Sequence, residues 1–333
     1  MRDASEIELY FEDMHPGDVI ASQSHLVTKQ AILDFARVYD PQVFHLDEEA
    51  AKASILGGLS ASGWHSVGIL MRLSCDAFVN RSASWGGPGV DQVKWLKPVR
   101  PGDSLSARCE IVAKRESKSR PAMGLVVIHS ALLNQHSEVV LTQDMTVMVG
   151  RRGFAAPQAM VTPPPPLAPP PQVPLGLLPL FYEDIEPGKR IYIGSYHFDA
   201  ASIIAFAQQF DPQPFHLSEE AGRKSHFGGL VASGWQSAAV HMRMLVDARH
   251  RGQAAAAAQG FVADTGPSPG VRDIKWPRPV RAGDTLHFYS ECLSKRTTSR
   301  PSWGLSESRT YGINQYGEEA FSMIGAVFVP LRG

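Results

Sequence analysis

Asp40–Ala50 reads DPQVFHLDEEA, and Asp211–Ala221 reads DPQPFHLSEEA. Outward from this pair, GGLSASGW at Gly57–Trp64 returns as GGLVASGW at Gly228–Trp235. Upstream, Tyr10-Phe11-Glu12-Asp13 returns as Phe181-Tyr182-Glu183-Asp184. All three pairs share an offset of 171. Downstream, VKWLKPVRPGDSL from Val93 returns as IKWPRPVRAGDTL from Ile274, offset by 181. The ten added residues fall near RGQAAAAAQG, Arg251–Gly260, and read as a loop or helix extension in the second copy. Such self-similarity means one structural unit written twice.

Pro157–Pro179 holds ten of the chain's 25 prolines, including Pro163–Pro166 and Pro169–Pro171. A run of this kind favours extended polyproline II and does not pack a core. It is expected to be a semi-rigid spacer. The predicted organisation is a first copy over residues 1–156, a linker over 157–179 and a second copy over 180–333.

The length of 333 residues suits two domains of ordinary size. A net charge of -1 supplies no global field for nucleic acid or an anionic membrane. Cys75, Cys109 and Cys292 are too sparse for a disulfide framework or a cysteine-based zinc site. MRDASEIELYFEDM, at the start, lacks the apolar core of a signal peptide. No stretch reaches the roughly 18 apolar residues of a membrane span. A cytoplasmic location is expected.

Within each copy, Thr28 and Asp199 are matching N-cap residues. Ile32, Phe35, Ala36 and Tyr39 follow at helical spacing, as do Ile203, Phe206, Ala207 and Phe210. Each pattern stops at an Asp-Pro, because proline drives its predecessor out of the α region. Asp40 and Asp211 therefore sit on helix exits. Asp47 and Ser218 suit the caps of short second helices, whose Glu48-Glu49 and Glu219-Glu220 favour the N-terminal dipole. A longer segment follows the Gly-Gly pairs, with small residues at its start. Alternating strand-like runs then cover Val90–Val99, Leu105–Ala113, Gly124–Gln135 and Val139–Val149. One long helix followed by an antiparallel meander is an α+β pattern.

These residues resemble the MaoC-like (R)-specific enoyl-CoA hydratases, a hot-dog family. Its signature runs Asp-x-Asn-Pro-x-His-x-Asp, with a later His-Gly-Met opening the central helix. Asp40 to His45 and Asp211 to His216 keep the spacing of five. Ser62-Gly63-Trp64 and Ser233-Gly234-Trp235 occupy the His-Gly-Met place, 18 residues from each histidine to its glycine. The departures are Gln42 and Gln213 for Asn, Val43 for Pro, and Ser62 and Ser233 for His. The resemblance implies a double hot-dog, two repeats each with a long central helix wrapped by an antiparallel sheet. It also implies an intrachain pseudo-dimer, with further homo-oligomers possible.

Hydrating a 2-enoyl thioester needs a water deprotonated at C3, a proton delivered at C2 and a stabilised thioester oxygen. The resemblance assigns the first two tasks to Asp40 with His45 and Asp211 with His216, acid-base groups of different pKa that hold one water. It assigns the third to the backbone N–H of Gly63 and Gly234, at helix N-termini. Alanine at either glycine is expected to obstruct the thioester while leaving the fold largely intact. The implied activity is cofactor-independent and metal-free, a hydro-lyase on acyl-CoA in fatty acid metabolism. The alternatives are a mesaconyl-type dicarboxylic acyl-CoA hydratase and a non-catalytic acyl-CoA-binding protein.

Lys114, Arg115, Lys118, Arg120, Lys295, Arg296 and Arg300 form basic stretches that suit CoA phosphates or a solvated face. His65, His129, His226 and His241 have no repeated partners and read as ordinary surface or core residues. No GxSxG, Walker-type loop or GxGxxG supports a serine hydrolase, a P-loop enzyme or a dinucleotide oxidoreductase.

Overall fold

The computed structural model describes residues 7–154, 165–258, 260–261 and 266–332. Helices α1 (Lys29–Tyr39) and α5 (Ala200–Phe210) form where the periodicity places them. Thr28 Oγ1 accepts from Ala31 N–H, and Asp199 caps α5 through Ser202 N–H. Both helices end one residue before the Asp-Pro. One-turn helices α2 (Val43–Leu46) and α6 (Pro214–Leu217) follow, then α3 (Glu48–Ala53) and α7 (Glu219–Lys224), capped by Asp47 and Ser218.

The central helices are α4 (Gly63–Ala77) and α8 (Gly234–Ala257). The first has 15 residues and the second 24, so the inserted residues lengthen the helix. Copy one supplies β1 (Val19–Ala21), β2 (His25–Leu26), β3 (Gly89–Trp95), β4 (Ser104–Glu116), β5 (Met123–Leu133) and β6 (Val139–Gly150). Copy two supplies β7 (Arg190–His197), β8 (Gly270–Lys275), β9 (Thr285–Thr297), β10 (Trp303–Ile313) and β11 (Glu319–Pro330).

All eleven strands join in one sheet, ordered β1-β4-β5-β6-β3-β8-β11-β10-β9-β7, with β2 also on β4. The seam is the antiparallel pair β3–β8, where Val90 faces Ile274 and Val93 faces Val271. Glycines at Gly89 and Gly270 make it possible: a Cβ at Gly89 would lie 2.3 Å from the Ile274 carbonyl oxygen. This is the double hot-dog, with both copies wrapped around their central helices in one chain.

The helix layer is welded by aromatics from both copies. Phe35 stacks on His65 at 4.8 Å and meets Phe210 edge-on at 5.6 Å, while Tyr39 meets Phe206 edge-on at 5.7 Å. Gly68 leaves room for Phe210, whose ring would lie 2.8 Å from a Cβ there. Arg72 donates to the Gln208 carbonyl, and Arg243 to those of Arg37 and Val38.

Much of the proline-rich stretch, residues 157–164, lies outside the described residues. Residues 165–181 carry no helix or strand but are pinned to copy two. Ala168 N–H donates to Gln315 O and Gly176 N–H to Tyr192 O, both at 2.8 Å. Leu180 is buried, and Leu177 and Leu178 line an interior cavity. Within the expected linker, Leu178 is partly buried against the core, while Leu175 and Leu177 stay exposed.

Candidate active site

Each Asp–His pair is assembled from three local structures. The helix exit presents Asp40, with φ -149 and ψ 66, and Asp211 repeats this at -147 and 67. The one-turn helix that follows presents His45 or His216. The segment entering the central helix then folds against them both. Ala61 N–H donates to Val99 O at 2.9 Å, and Ala232 N–H to Val280 O at 2.8 Å. Arg100 clamps the carbonyls of Leu56, Gly58 and Leu59 in that loop.

His45 Nε2 lies 3.4 Å from Asp40 Oδ2, and His216 Nε2 lies 3.4 Å from Asp211 Oδ2. All four side chains are buried. His45 Nδ1 is 2.7 Å from the Ser60 carbonyl oxygen, and His216 Nδ1 is 2.7 Å from that of Val231. A carbonyl only accepts, so Nδ1 carries a proton in both rings. In the neutral ring Nε2 is then the basic nitrogen, and it faces the carboxylate.

The carboxylates are held on their other sides as well. Ser62 Oγ donates to Asp40 Oδ2 at 2.7 Å and Gln42 Nε2 to Oδ1 at 2.8 Å. Ser233 and Gln213 do the same for Asp211, at 2.6 and 3.0 Å. Burial pushes the Asp211 carboxyl up, but the His216 imidazole and the hydrogen bonds from His216, Ser233 and Gln213 outweigh it, leaving Asp211 below the usual carboxylate range. The Gln and Ser departures from the family motif thus serve as carboxylate donors. Ser62 and Ser233 also cap α4 and α8.

The two sites differ in what the other copy adds. Cys75 of copy one points its thiol at Asp211 Oδ1, 3.6 Å away. Burial pushes this thiol well up, and Asp211 adds to the effect, so it stays protonated and donates. Ser84 Oγ donates to Gln213 Oε1 at 3.0 Å. At the place matching Cys75, copy two has Val246, which lines the cavity instead.

That cavity measures about 770 Å³. It takes in Asp40, His45, Gly63 and Trp64 and runs on between α8 and the inner face of β9–β11. Gly63 is the first residue of α4, so its N–H has no intrahelical acceptor. The Trp95 indole N–H donates to the Gly63 carbonyl at 2.9 Å, and its ring covers the glycine. A Cβ at Gly63 would lie 2.6 Å from that ring, and one at Gly234 would lie 2.4 Å from Trp276. The expectation that alanine here disturbs only a bound thioester is corrected: it strikes a tryptophan first. Both tryptophans lie in the repeated VKW/IKW block, whose role the sequence left unread.

Among the basic residues, Lys114 and Lys295 bond backbone carbonyls at Phe11–Glu12 and Tyr182–Glu183 and tie strands to 3-10 turns. Arg300 lines the cavity, together with Lys97, Lys189 and Arg249. His129 pairs with Asp144 at 2.5 Å. His241 lines the cavity, a role its lack of a repeated partner concealed. Among the described residues, no helix is long and apolar enough to cross a membrane.

With this geometry, two buried acid-base pairs stand at the N-termini of paired central helices. The MaoC-like domain matches the chain twice, over residues 11–131 and 185–302. The chain belongs to the MaoC-like dehydratase domain family. Family membership supports hydratase or dehydratase chemistry on acyl-CoA thioesters in general. It is 41% identical over 76 residues to a mesaconyl-CoA hydratase of Cereibacter sphaeroides, a stretch covering 23% of this chain and 22% of that protein. Its fold is similar to a MaoC domain protein dehydratase from Chloroflexus aurantiacus, with TM-score 0.77, 19% identity, and 99% and 100% of the two chains covered. It is also similar to a double-hotdog protein from Mycobacterium tuberculosis, with TM-score 0.68, 15% identity, and 98% and 99% covered.

Proposed function

We propose that this protein is an (R)-specific 2-enoyl-CoA hydratase, running in reverse as a 3-hydroxyacyl-CoA dehydratase. The observation that carries this reading is the buried Asp40–His45 pair opening on an acyl-sized cavity at the start of α4. The basic Nε2 of His45 and a carboxylate oxygen of Asp40 together grip one water. As the water oxygen bonds to C3, one of the two groups takes a proton from the water. That proton is then returned to C2, so water is added across the double bond and both groups are left as they began. Asp211 and His216 carry the same chemistry in copy two.

As electron density moves onto the thioester oxygen, the N–H groups of Gly63 and Gly234 receive it. Such a donor contributes about 2.7–4 kcal/mol. Lys97, Lys189 and Arg300 at the cavity wall offer positive charge to the CoA phosphates. No cofactor takes part. The protein acts in the cytoplasm, with residues 1–156 and 180–333 as its two working halves.

Loss of enoyl-thioester absorbance with crotonyl-CoA tests the reading, and chiral separation of the 3-hydroxy product tests its hand. Asp40→Asn and Asp211→Asn each lower turnover. Combined, they lower it by at least about 10²-fold, the lower bound for positioned acid-base catalysis. Full turnover in a folded double variant removes both pairs from the mechanism. The mesaconyl-CoA hydratase relative, together with the Arg249 guanidinium in the cavity wall, favours a dicarboxylic thioester as a second reading. Mesaconyl-CoA in the same assay decides between them.

A further inference from the structure

The cavity reached from Asp40–His45 exists because the two sheets carry different inner faces. Strand register aligns the copies. Ile111 faces Ile128 and Ile128 faces Met145 in copy one, while Cys292 faces Ser308 and Ser308 faces Gly325 in copy two. Ser306 stands where copy one has Val126. Each of these four changes is from a larger apolar side chain to a smaller one, and two of them introduce a hydroxyl. Gly266 likewise stands where copy one has Trp85, five residues before the matching Val90 and Val271.

Beside Asp211–His216 the same places are filled. Ser84 bonds Gln213, and the next residue, Trp85, lies against His226 at 6.1 Å. His226 meets Phe227 at 3.9 Å, and Phe227 meets Phe215 at 4.9 Å. Ile55 and Leu56 take the places of His226 and Phe227 in copy one, and they line the open cavity.

The hollowed face is also polar. Ser290, Ser306, Ser308 and Thr310 all line the cavity. Thr310 Oγ1 is buried and has no hydrogen-bond partner within the protein. Neither ring nitrogen of His241 has one, and this histidine replaces the Leu70 of copy one. By contrast, the Ser130 hydroxyl, which matches Thr310, has Cys109 Sγ as its partner. A plain alkyl chain in this chamber leaves these donors and acceptors unpaired, which is the costly case for buried polar groups. A chain bearing oxygen in the right place pairs them.

We infer that the Asp40–His45 site takes a bulky acyl group carrying an oxygen function remote from the thioester, received by a hydroxyl-lined chamber under copy two's sheet. This deepens the hydratase reading and rests on it for the position of the thioester. Saturated ligands separate the two, because they bind without being hydrated.

Calorimetric titration of the whole protein with butyryl-CoA, decanoyl-CoA and 10-hydroxydecanoyl-CoA tests the chamber. The hydroxylated ligand is expected to bind about tenfold tighter than decanoyl-CoA, the factor one good buried hydrogen bond supplies. Thr310→Val combined with Ser306→Ala removes hydroxyls at nearly constant volume and should erase that preference. His241→Leu, which installs copy one's residue, should reduce it without loss of melting temperature. Gly325→Met, also copy one's residue, should weaken both long ligands relative to butyryl-CoA. Tighter binding of decanoyl-CoA by the unaltered protein overturns the inference, as does a ligand order that none of these variants changes. Absent crotonyl-CoA turnover with the ligand preference intact strikes only the hydratase reading.

Discussion

His65 and Gln236 occupy one repeat position, and Leu70 and His241 another. Each copy thus buries one histidine where the other does without. Burial holds both imidazoles at about 3, far below their usual range. The unfolded chain takes up these protons near pH 6.5, whereas the folded chain resists until far lower pH. Their stabilising effect is complete above pH 6.5 and drains away as pH falls, by about 1.4 kcal/mol per pH unit for each ring. Asp211, held low, acts with the same sign but over the more acidic range below its usual value. His65→Gln, copy two's own residue, should therefore lose about 2 kcal/mol less stability than the unaltered protein between pH 6.5 and 5. Urea unfolding at the two pH values measures this, and equal losses would show that His65 is not held neutral.

At the level of the element, the start of α4 serves two purposes through one glycine. Gly63→Ala gains roughly 1 kcal/mol of helix propensity but forces a Cβ to within 2.6 Å of Trp95. Overpacking of this kind costs about 1–3 kcal/mol, so a lower melting temperature is expected. Adding Trp95→Leu should restore stability while the new methyl still crowds the N–H. If turnover recovers together with stability, packing is the whole role of Gly63. If turnover stays low, the N–H serves the thioester. The helices and their caps were legible in the sequence, because Thr28, Asp199, Asp47 and Ser218 act on neighbours three residues away. The Asp–His pairs were legible through the family resemblance, whose motif keeps the same spacing of five residues. Trp95 over Gly63 and Cys75 against Asp211 were not, because those contacts depend on how distant strands and the other copy dock. The hollow under β9–β11 was hidden too. It follows from a comparison of inner faces that only strand register makes possible.

For the whole molecule, the β3–β8 seam and the shared aromatic layer make one body from two copies. Solution scattering should give a radius of gyration of about 20 Å, the value for a compact chain of this length. A markedly larger value with two resolved maxima in the distance distribution would mean that the halves separate. Unequal copies have a genetic consequence. In a symmetric homodimer a single codon writes both inner faces, so shrinking Met145 to glycine would empty both sides at once. Joining two gene copies end to end removes that constraint. One copy can then drift toward small hydroxylated side chains while its sister keeps the bulk that holds the particle together. The pairing of Met145 with Gly325, and of Trp85 with Gly266, is the mark that such a history leaves in a present-day chain.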